Sequence, residues 1–222
     1  CIRDSERAVL VSEPVAAALA YATEVGVAPL SHVAVYDLGG GTFDTAVVTP
    51  TDSGFQIVGR PGGDPSIGGE LFDELLAEHI GAQLDPATRE SIQFSDDPTW
   101  RRVNANLRHE VRRGKEMLSG YPVAELLVPV PGELVQRQVT RPESEALIKP
   151  HLSSTIELLV RCVSDAGTDP ARLAAVYLVG GASRTPLIAS MIEEQFPGIP
   201  ISRRGDPKTS TAIGAALAVR SG

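Results

Sequence analysis

VAVYDLGGGTFDTAVV, residues 33–48, joins two valine-rich runs through three consecutive glycines. Because β-branched residues suit a pleated strand and glycine suits a turn, the pattern predicts two short antiparallel strands joined by a tight bend. Gly39, Gly40 and Gly41 lack a Cβ, so they could adopt positive φ and bring their amides close to an anion. The stretch is therefore either a phosphate-binding hairpin or an ordinary glycine-rich turn with polar neighbours.

Two oxygen-bearing side chains flank the bend. Asp37 ends the first predicted strand and could hold Mg²⁺ through water, because this ion keeps most of its hydration shell. Thr42 adds a hydroxyl on the other side of the glycines. The pattern favours a polyphosphate accompanied by Mg²⁺ as the ligand.

Two further glycine pairs stand where helices are predicted to begin. Gly68 and Gly69 precede a run with helical spacing of apolar residues. Gly180 and Gly181 follow an apolar strand and precede another such run. Strand, glycines and helix in this order are how α/β folds bind nucleotides.

Acidic residues follow the first of these pairs. Glu70, Asp73 and Glu74 lie at the start of the predicted helix. Since carboxylates near a helix N-terminus complement its dipole, we interpret Asp73 and Glu74 as stabilising the helix rather than as catalytic.

Five motifs together resemble one protein family. They are SEPVAAALAYA (12–22), YDLGGGTFD (36–44), IGGELFD (67–73), VGGASRTPLI (179–188) and AIGAALA (212–218). In order and spacing they resemble the DnaK-type heat-shock protein 70 chaperones of the actin-like ATPase superfamily, over nearly the whole chain. The pair GGGTFD and GGASRTP is specific to that family, whereas DLGGGT alone would also admit actin-like filament proteins.

The resemblance implies an α/β fold: an actin-like ATPase (ribonuclease H-like) lobe with a smaller α+β upper subdomain. The chain would be lobe II of the nucleotide-binding domain in a diverged family member. Residues 1–30 would cross from lobe I, 31–68 and 150–222 would form the lower (IIA-like) subdomain, and 69–149 the upper (IIB-like) one. Lobe I and the peptide-binding domain would lie outside the chain, so the fragment alone is expected to be inactive.

The resemblance also assigns catalytic roles. Asp37 would act on Mg²⁺, through water, and on the attacking water, which Thr42 would position. Glu13 would lie near the metal, although an acid before Pro14 at a helix start is favoured in any case, so both interpretations stand.

The expected nucleotide is ATP or ADP, and Arg184 would stack on its adenine, as a planar guanidinium can. The residues assigned to nucleotide binding are Gly39, Gly40, Gly41, Asp44, Gly69, Lys115, Ser119, Gly180, Gly181 and Arg184.

Three positions depart from the family pattern near the adenosine. Arg112 stands in place of a glutamate that meets the ribose, Lys208 in place of an aspartate, and Ala182 in place of a serine or asparagine. Cations in place of anions could weaken ATP selectivity or favour additional phosphate.

Two classes of function stay open. An ATP-hydrolysing chaperone that couples nucleotide state to client-peptide binding is favoured by the retained Asp37, Thr42 and Asp44. A non-catalytic nucleotide-sensing or scaffold module with a degenerate adenosine pocket is favoured by Arg112 and Lys208. A filament-forming relative of actin is a more distant third.

The composition of the chain argues against some classes of partner and of metal site. A net charge of −8 and a pI near 5.0 argue against a nucleic acid or an anionic membrane as the main partner. Two cysteines are too few for a disulfide framework, so a cytoplasmic location is expected. The histidines lack metal-ligand spacing, which argues against a zinc site. The family resemblance implies client polypeptides and a co-chaperone or nucleotide exchange factor as partners.

Local signals predict several other elements. A hairpin is expected about Pro131 and Gly132, and Thr140 with Glu143 has the spacing of a capping box that begins a helix. Residues 85–99 are expected to form a loop. Residues 213–219 are expected to form a small-residue helix that packs on the sheet.

Overall fold

The structure is a computed structural model that describes residues 11–25, 31–52, 54–203 and 210–220. Its helices and strands follow in chain order: α1 (Glu13–Val25), β1 (His32–Leu38), β2 (Phe43–Thr51), β3 (Gly54–Asp64), α2 (Gly69–Gly81), α3 (Pro86–Phe94), α4 (Pro98–Leu118), β4 (Val123–Val130), β5 (Glu133–Thr140), α5 (Arg141–Asp165), β6 (Leu173–Val179), α6 (Pro186–Gln195), β7 (Ile201–Ser202) and α7 (Ser210–Arg220).

A five-stranded mixed sheet has the order β3-β2-β1-β6-β7. β1 pairs antiparallel with β2 and parallel with β6, which brings Asp37 opposite Asp44 on one side and Val179 on the other. The predicted antiparallel hairpin and the α/β fold class are both confirmed. As a result the carboxyl ends of the two parallel strands β1 and β6, each followed by glycine, meet at one edge of the sheet.

Side-chain alternation along β1 separates the packing on the two faces of this sheet. Ala34, Tyr36 and Leu38 point to one face and join a core completed by α5, α6 and the start of α2. Val33 and Val35 point to the other face, which α1 covers. Both helical layers are needed because a sheet with β1 and β6 at its centre is apolar on both sides.

The last helix does not pack as expected. α7 makes its main contacts with α1 rather than directly with the sheet. Gly214 lies so close to the Ala16 carbonyl that a Cβ would collide with it. Small residues therefore let two helices cross in close contact, and α7 forms an outer layer.

A second apolar core lies between α2, α3, α4 and the β4–β5 hairpin. α4 presents a stripe of buried residues toward β4, and alternate β4 residues are buried beneath it. α2 supplies Phe72 to the first core and Leu76 to the second, and Leu147 of α5 packs against both. The cleft described below lies where these two cores meet.

Local predictions in this region have mixed outcomes. The β4–β5 hairpin is confirmed, and so is the capping box, in which Thr140 and Glu143 cap each other at the start of α5. The loop expected over 85–99 is wrong, because it contains α3 and the start of α4. Asp85 and Asp97 each cap a helix whose first residue is proline.

None of the helices in the described ranges is both long and apolar enough to span a bilayer.

Candidate functional site

A cleft of about 450 Å³ opens where the β1–β2 bend, the start of α2, one face of α4 and the turn after β6 converge. Its lining residues are Gly39, Gly40, Gly69, Glu70, Asp73, Arg112, Lys115, Glu116, Ser119, Gly181, Ala182 and Arg184. Most of the residues assigned to nucleotide binding from the sequence therefore line this cleft. Asp37, Glu13, Thr42, Gly41, Asp44 and Gly180 are not part of this lining.

The β1–β2 bend is closed by a hydrogen bond from the Gly39 amide to the Thr42 carbonyl, at 3.0 Å. None of its three glycines has a φ in the left-handed region, so the expected positive φ is wrong. This single bond closes the bend without a left-handed glycine.

The same bend presents unused amides. Gly40, Gly41 and Thr42 are exposed, and their backbone N–H groups have no acceptor within the part of the chain that the structure describes. A Cβ built on Gly41 would meet no atom of the described residues within 4 Å. No described contact therefore requires glycine there, whereas an anion held against the amides would need that space.

The start of α2 supports the bend from behind. The Gly69 amide donates to the Gly39 carbonyl at 3.0 Å, and the Glu70 amide donates to the Gly40 carbonyl at 2.7 Å. A Cβ on Gly68 would come within 2.6 Å of the Gly40 oxygen, so this residue must be glycine for the two segments to touch. Two free N–H groups of the helix terminus are thereby satisfied, and the bend is fixed to α2.

Asp37 lies beside the bend, with only 8% of its surface exposed. Burial, together with the nearby carboxylates of Glu13 and Asp44, raises its pKa from 3.8 to about 7. No donor among the described residues hydrogen-bonds its carboxylate. Because the charged neighbours identified for this buried acid are themselves acidic, a cation bound here would relieve the electrostatic cost.

The same residues do not form a direct metal centre. Within the described ranges, no three His, Cys, Asp or Glu side chains gather closely enough to hold a metal ion between them. A cation at Asp37 would therefore complete its shell with water or ligand oxygens, as Mg²⁺ does.

Gly180 fixes the position of Asp37 relative to the turn after β6. Its φ is +82°, and a Cβ would collide with the Leu38 carbonyl and lie 2.7 Å from Asp37 Oδ1. The Gly181–Arg184 turn follows at once and carries Arg184 into the cleft. Gly180 therefore contributes through its backbone conformation, whereas Gly181 and Arg184 line the cleft directly.

The opposite wall contains an ion-pair cluster that the sequence reasoning missed. Asp73 Oδ1 lies 2.7 Å from Lys115 Nζ, and Asp73 Oδ2 accepts a hydrogen bond of 3.2 Å from Arg112 Nε. We expected Asp73 and Glu74 to stabilise the first turn of α2, but only Glu70 lies in that turn. The partners of Asp73 are about forty residues away in sequence, so no local signal reveals them, although Arg112 and Lys115 at i and i+3 mark one face of α4.

The remaining assigned residues occupy the margins of the site. Thr42 Oγ1 donates to Asp44 Oδ2 at 3.3 Å, which ties the bend to β2. Ser119 ends α4 at the cleft, next to Glu116, whose place in the lining the sequence did not suggest. Lys208, like residues 1–10, lies outside the described residues.

Comparison with known proteins agrees with these motifs. The chain is 36% identical over 209 residues to a chaperone protein HscA homolog of Burkholderia pseudomallei (strain 668), a match that covers 94% of this chain and 32% of that protein. It is likewise 36% identical over 208 residues to the chaperone protein HscA of Cronobacter sakazakii, covering 94% of this chain and 31% of the relative. The chain thus spans about a third of the length of the curated relatives it matches. A sequence model of the family described as Hsp70 protein matches residues 6–222, and the chain belongs to the Hsp70 family.

Proposed function

We propose that this chain is lobe II of an ATP-binding and ATP-hydrolysing chaperone domain, with its phosphate grip at the β1–β2 bend. The observation that carries the proposal is the set of three exposed, unused amides at Gly40, Gly41 and Thr42. An open array of backbone donors on a rigid support is how proteins hold polyphosphates. Family membership and the cleft beside the array support the same conclusion.

In this proposal the two ends of the nucleotide bind different elements. The bend binds the terminal phosphates, and the nucleoside extends along the cleft between the α4 face and the turn after β6. Lys115 and Ser119 line the first of these walls, and Gly181 and Arg184 the second. The guanidinium of Arg184 is suited to stacking on the base.

The residues around Asp37 fit Mg²⁺ as the accompanying ion. Bound there, the ion would neutralise charge on the phosphate oxygens. Asp37 would hold it through water and would accept a proton from the attacking water. Thr42 would orient that water, and Glu13 would add negative charge on the metal side.

Calorimetric titration of the full-length protein with ATP and ADP, with Mg²⁺ present, tests this proposal. Asp37→Asn should retain ADP binding while phosphate release falls by about a hundredfold or more, since one positioned acid–base group contributes about that much. Asp52→Asn, an exposed carboxylate on the β2–β3 turn, is the matched control. Failure of the unaltered protein to bind either nucleotide would refute the assignment.

A non-catalytic nucleotide sensor is the second candidate. Arg112 favours it, because this cation lines the cleft where the family pattern has an acid. Both candidates bind ATP and ADP in the titration, and a phosphate-release assay separates them, since a sensor releases no phosphate.

Coupling to the rest of the protein is part of the same proposal. Lobe I would supply the other half of the phosphate-binding site. A peptide-binding domain would respond to the nucleotide state by changing its affinity for client polypeptides. A co-chaperone or exchange factor would set the rate of the cycle. Peptide affinity measured with ATP and with ADP tests this coupling.

A further inference from the structure

The ammonium of Lys115 is held at two points inside the cleft wall. Its Nζ donates to the Gly69 carbonyl at 2.6 Å and lies 2.7 Å from Asp73 Oδ1. The Lys115 and Asp73 side chains are only 20% and 16% exposed, so this ion pair is better shielded than the others on α4. A flexible lysine is thus held in a fixed position by one hydrogen bond to a carbonyl and one ion pair to a carboxylate.

Gly69 links this cluster directly to the phosphate bend. Its carbonyl accepts from Lys115, while its own amide donates to Gly39 at 3.0 Å. The next amide, of Glu70, holds Gly40. A continuous path therefore runs from Asp73 through Lys115 and the first residue of α2 to the bend, and every step in it is a polar contact of 3.0 Å or less.

The geometry of Asp73 suits a positioning role rather than ligand contact. Both of its oxygens face cations, Lys115 on one side and Arg112 on the other. The Arg112 side chain is 60% exposed, so its pairing is weakened by solvent, whereas Lys115 is mostly enclosed. Removal of the Asp73 charge would release Lys115 chiefly, and with it the hold on Gly69.

We propose that Asp73 is a positioning residue for the phosphate bend, acting through Lys115 and the Gly69 backbone. This inference rests on the proposed function. It adds that the α4 wall and the phosphate grip form one mechanical unit, and that affinity for the phosphates depends on an ion pair that does not touch them.

The test compares ADP with adenosine as probes, because only ADP engages the bend. In the full-length protein with Mg²⁺, Asp73→Asn should weaken ADP binding about tenfold or more, the loss typical of one charge-assisted contact. Adenosine binding should change less than ADP binding. Asp96→Asn removes an ion pair of equal length, 2.7 Å, from the exposed start of α4 and should leave both affinities unchanged.

A double-mutant cycle shows whether Asp73 acts through Lys115. In a Lys115→Met background, adding Asp73→Asn should weaken ADP binding by less than twofold. If Asp73→Asn does not fold, Lys115→Met alone tests the same path from its other end. Because Lys115 also lines the nucleoside part of the cleft, this variant should weaken adenosine binding, and it should weaken ADP binding by a larger factor.

The outcomes separate this inference from the proposed function. Three results would overturn the positioning role and leave the proposed function intact, provided that the unaltered protein binds ADP. They are unchanged ADP affinity in Asp73→Asn, additive losses in the double-mutant cycle, and equal losses of ADP and adenosine affinity. Absence of ADP binding in the unaltered protein would overturn both.

Discussion

The buried carboxylate of Asp37 is expected to weaken the nucleotide-free fold above neutral pH. Its pKa is raised from 3.8 to about 7, first by burial and then by Glu13 and Asp44. Between these two values the folded state keeps a proton that the unfolded state has released. The free energy of unfolding therefore falls as pH rises through this window, and the full cost remains above it.

The size of the effect follows from the same values. Each pKa unit corresponds to about 1.4 kcal/mol, so the raised pKa of Asp37 lowers the free energy of unfolding by about 4 kcal/mol at pH 8 and by about 2 kcal/mol at pH 5. Asp37→Asn, which keeps the shape without the charge, should raise the free energy of unfolding by a similar amount at each pH.

Urea unfolding without nucleotide or Mg²⁺, at pH 5 and pH 8, measures this difference. Asp52→Asn removes an exposed carboxylate and should show no comparable dependence. A gap between Asp37→Asn and the unaltered protein that is the same at both pH values, or an asparagine variant that is less stable at pH 8, would refute the electrostatic account.

Two glycines with opposite environments should separate folding from binding. Alanine at position 180 would be strained at φ +82° and would collide with the Leu38 carbonyl, so Gly180→Ala should lose about 3 kcal/mol or more of stability in thermal unfolding. A Cβ at position 41 has no described atom within 4 Å, so Gly41→Ala should fold normally but lose calorimetric binding of Mg²⁺ tripolyphosphate. Normal binding in Gly41→Ala would exclude the bend as the phosphate-binding site. Thr140→Ala removes the cap that Glu143 completes and should lower the free energy of unfolding by about 1 kcal/mol. ADP affinity should be unchanged in that variant, since the cap lies outside the cleft lining.

The parts of the fold that the sequence predicts are those set by neighbouring residues. Alternating valines specify β1 and β2, and Thr140 with Glu143 begins α5 where expected. α3 was missed because its stretch is mostly polar and buries only Ile92. The Asp–Pro pairs that begin α3 and α4 were the available signal.

The site shows the same division. Gly39, Gly40 and Gly69 could be placed at one cleft because each belongs to a local motif. The backbone conformation of the bend could not be predicted, since it depends on the hydrogen bonds that the start of α2 makes to the bend. The partners of Asp73 were also beyond reach, because long-range ion pairs leave no periodic pattern.

The division of the apolar interior into two cores places the two walls of the cleft on separate packing units. The sheet carries one wall, and α4, which packs with α3 and the β4–β5 hairpin, carries the other. The helices α2 and α5 supply side chains to both cores. A molecule that contacts both walls at once would add to the restraint that α2, α5 and the Lys115–Gly69 hydrogen bond already place on their separation. Amide hydrogen exchange near Phe72 and Leu147 should therefore slow on occupancy, although neither residue lines the cleft.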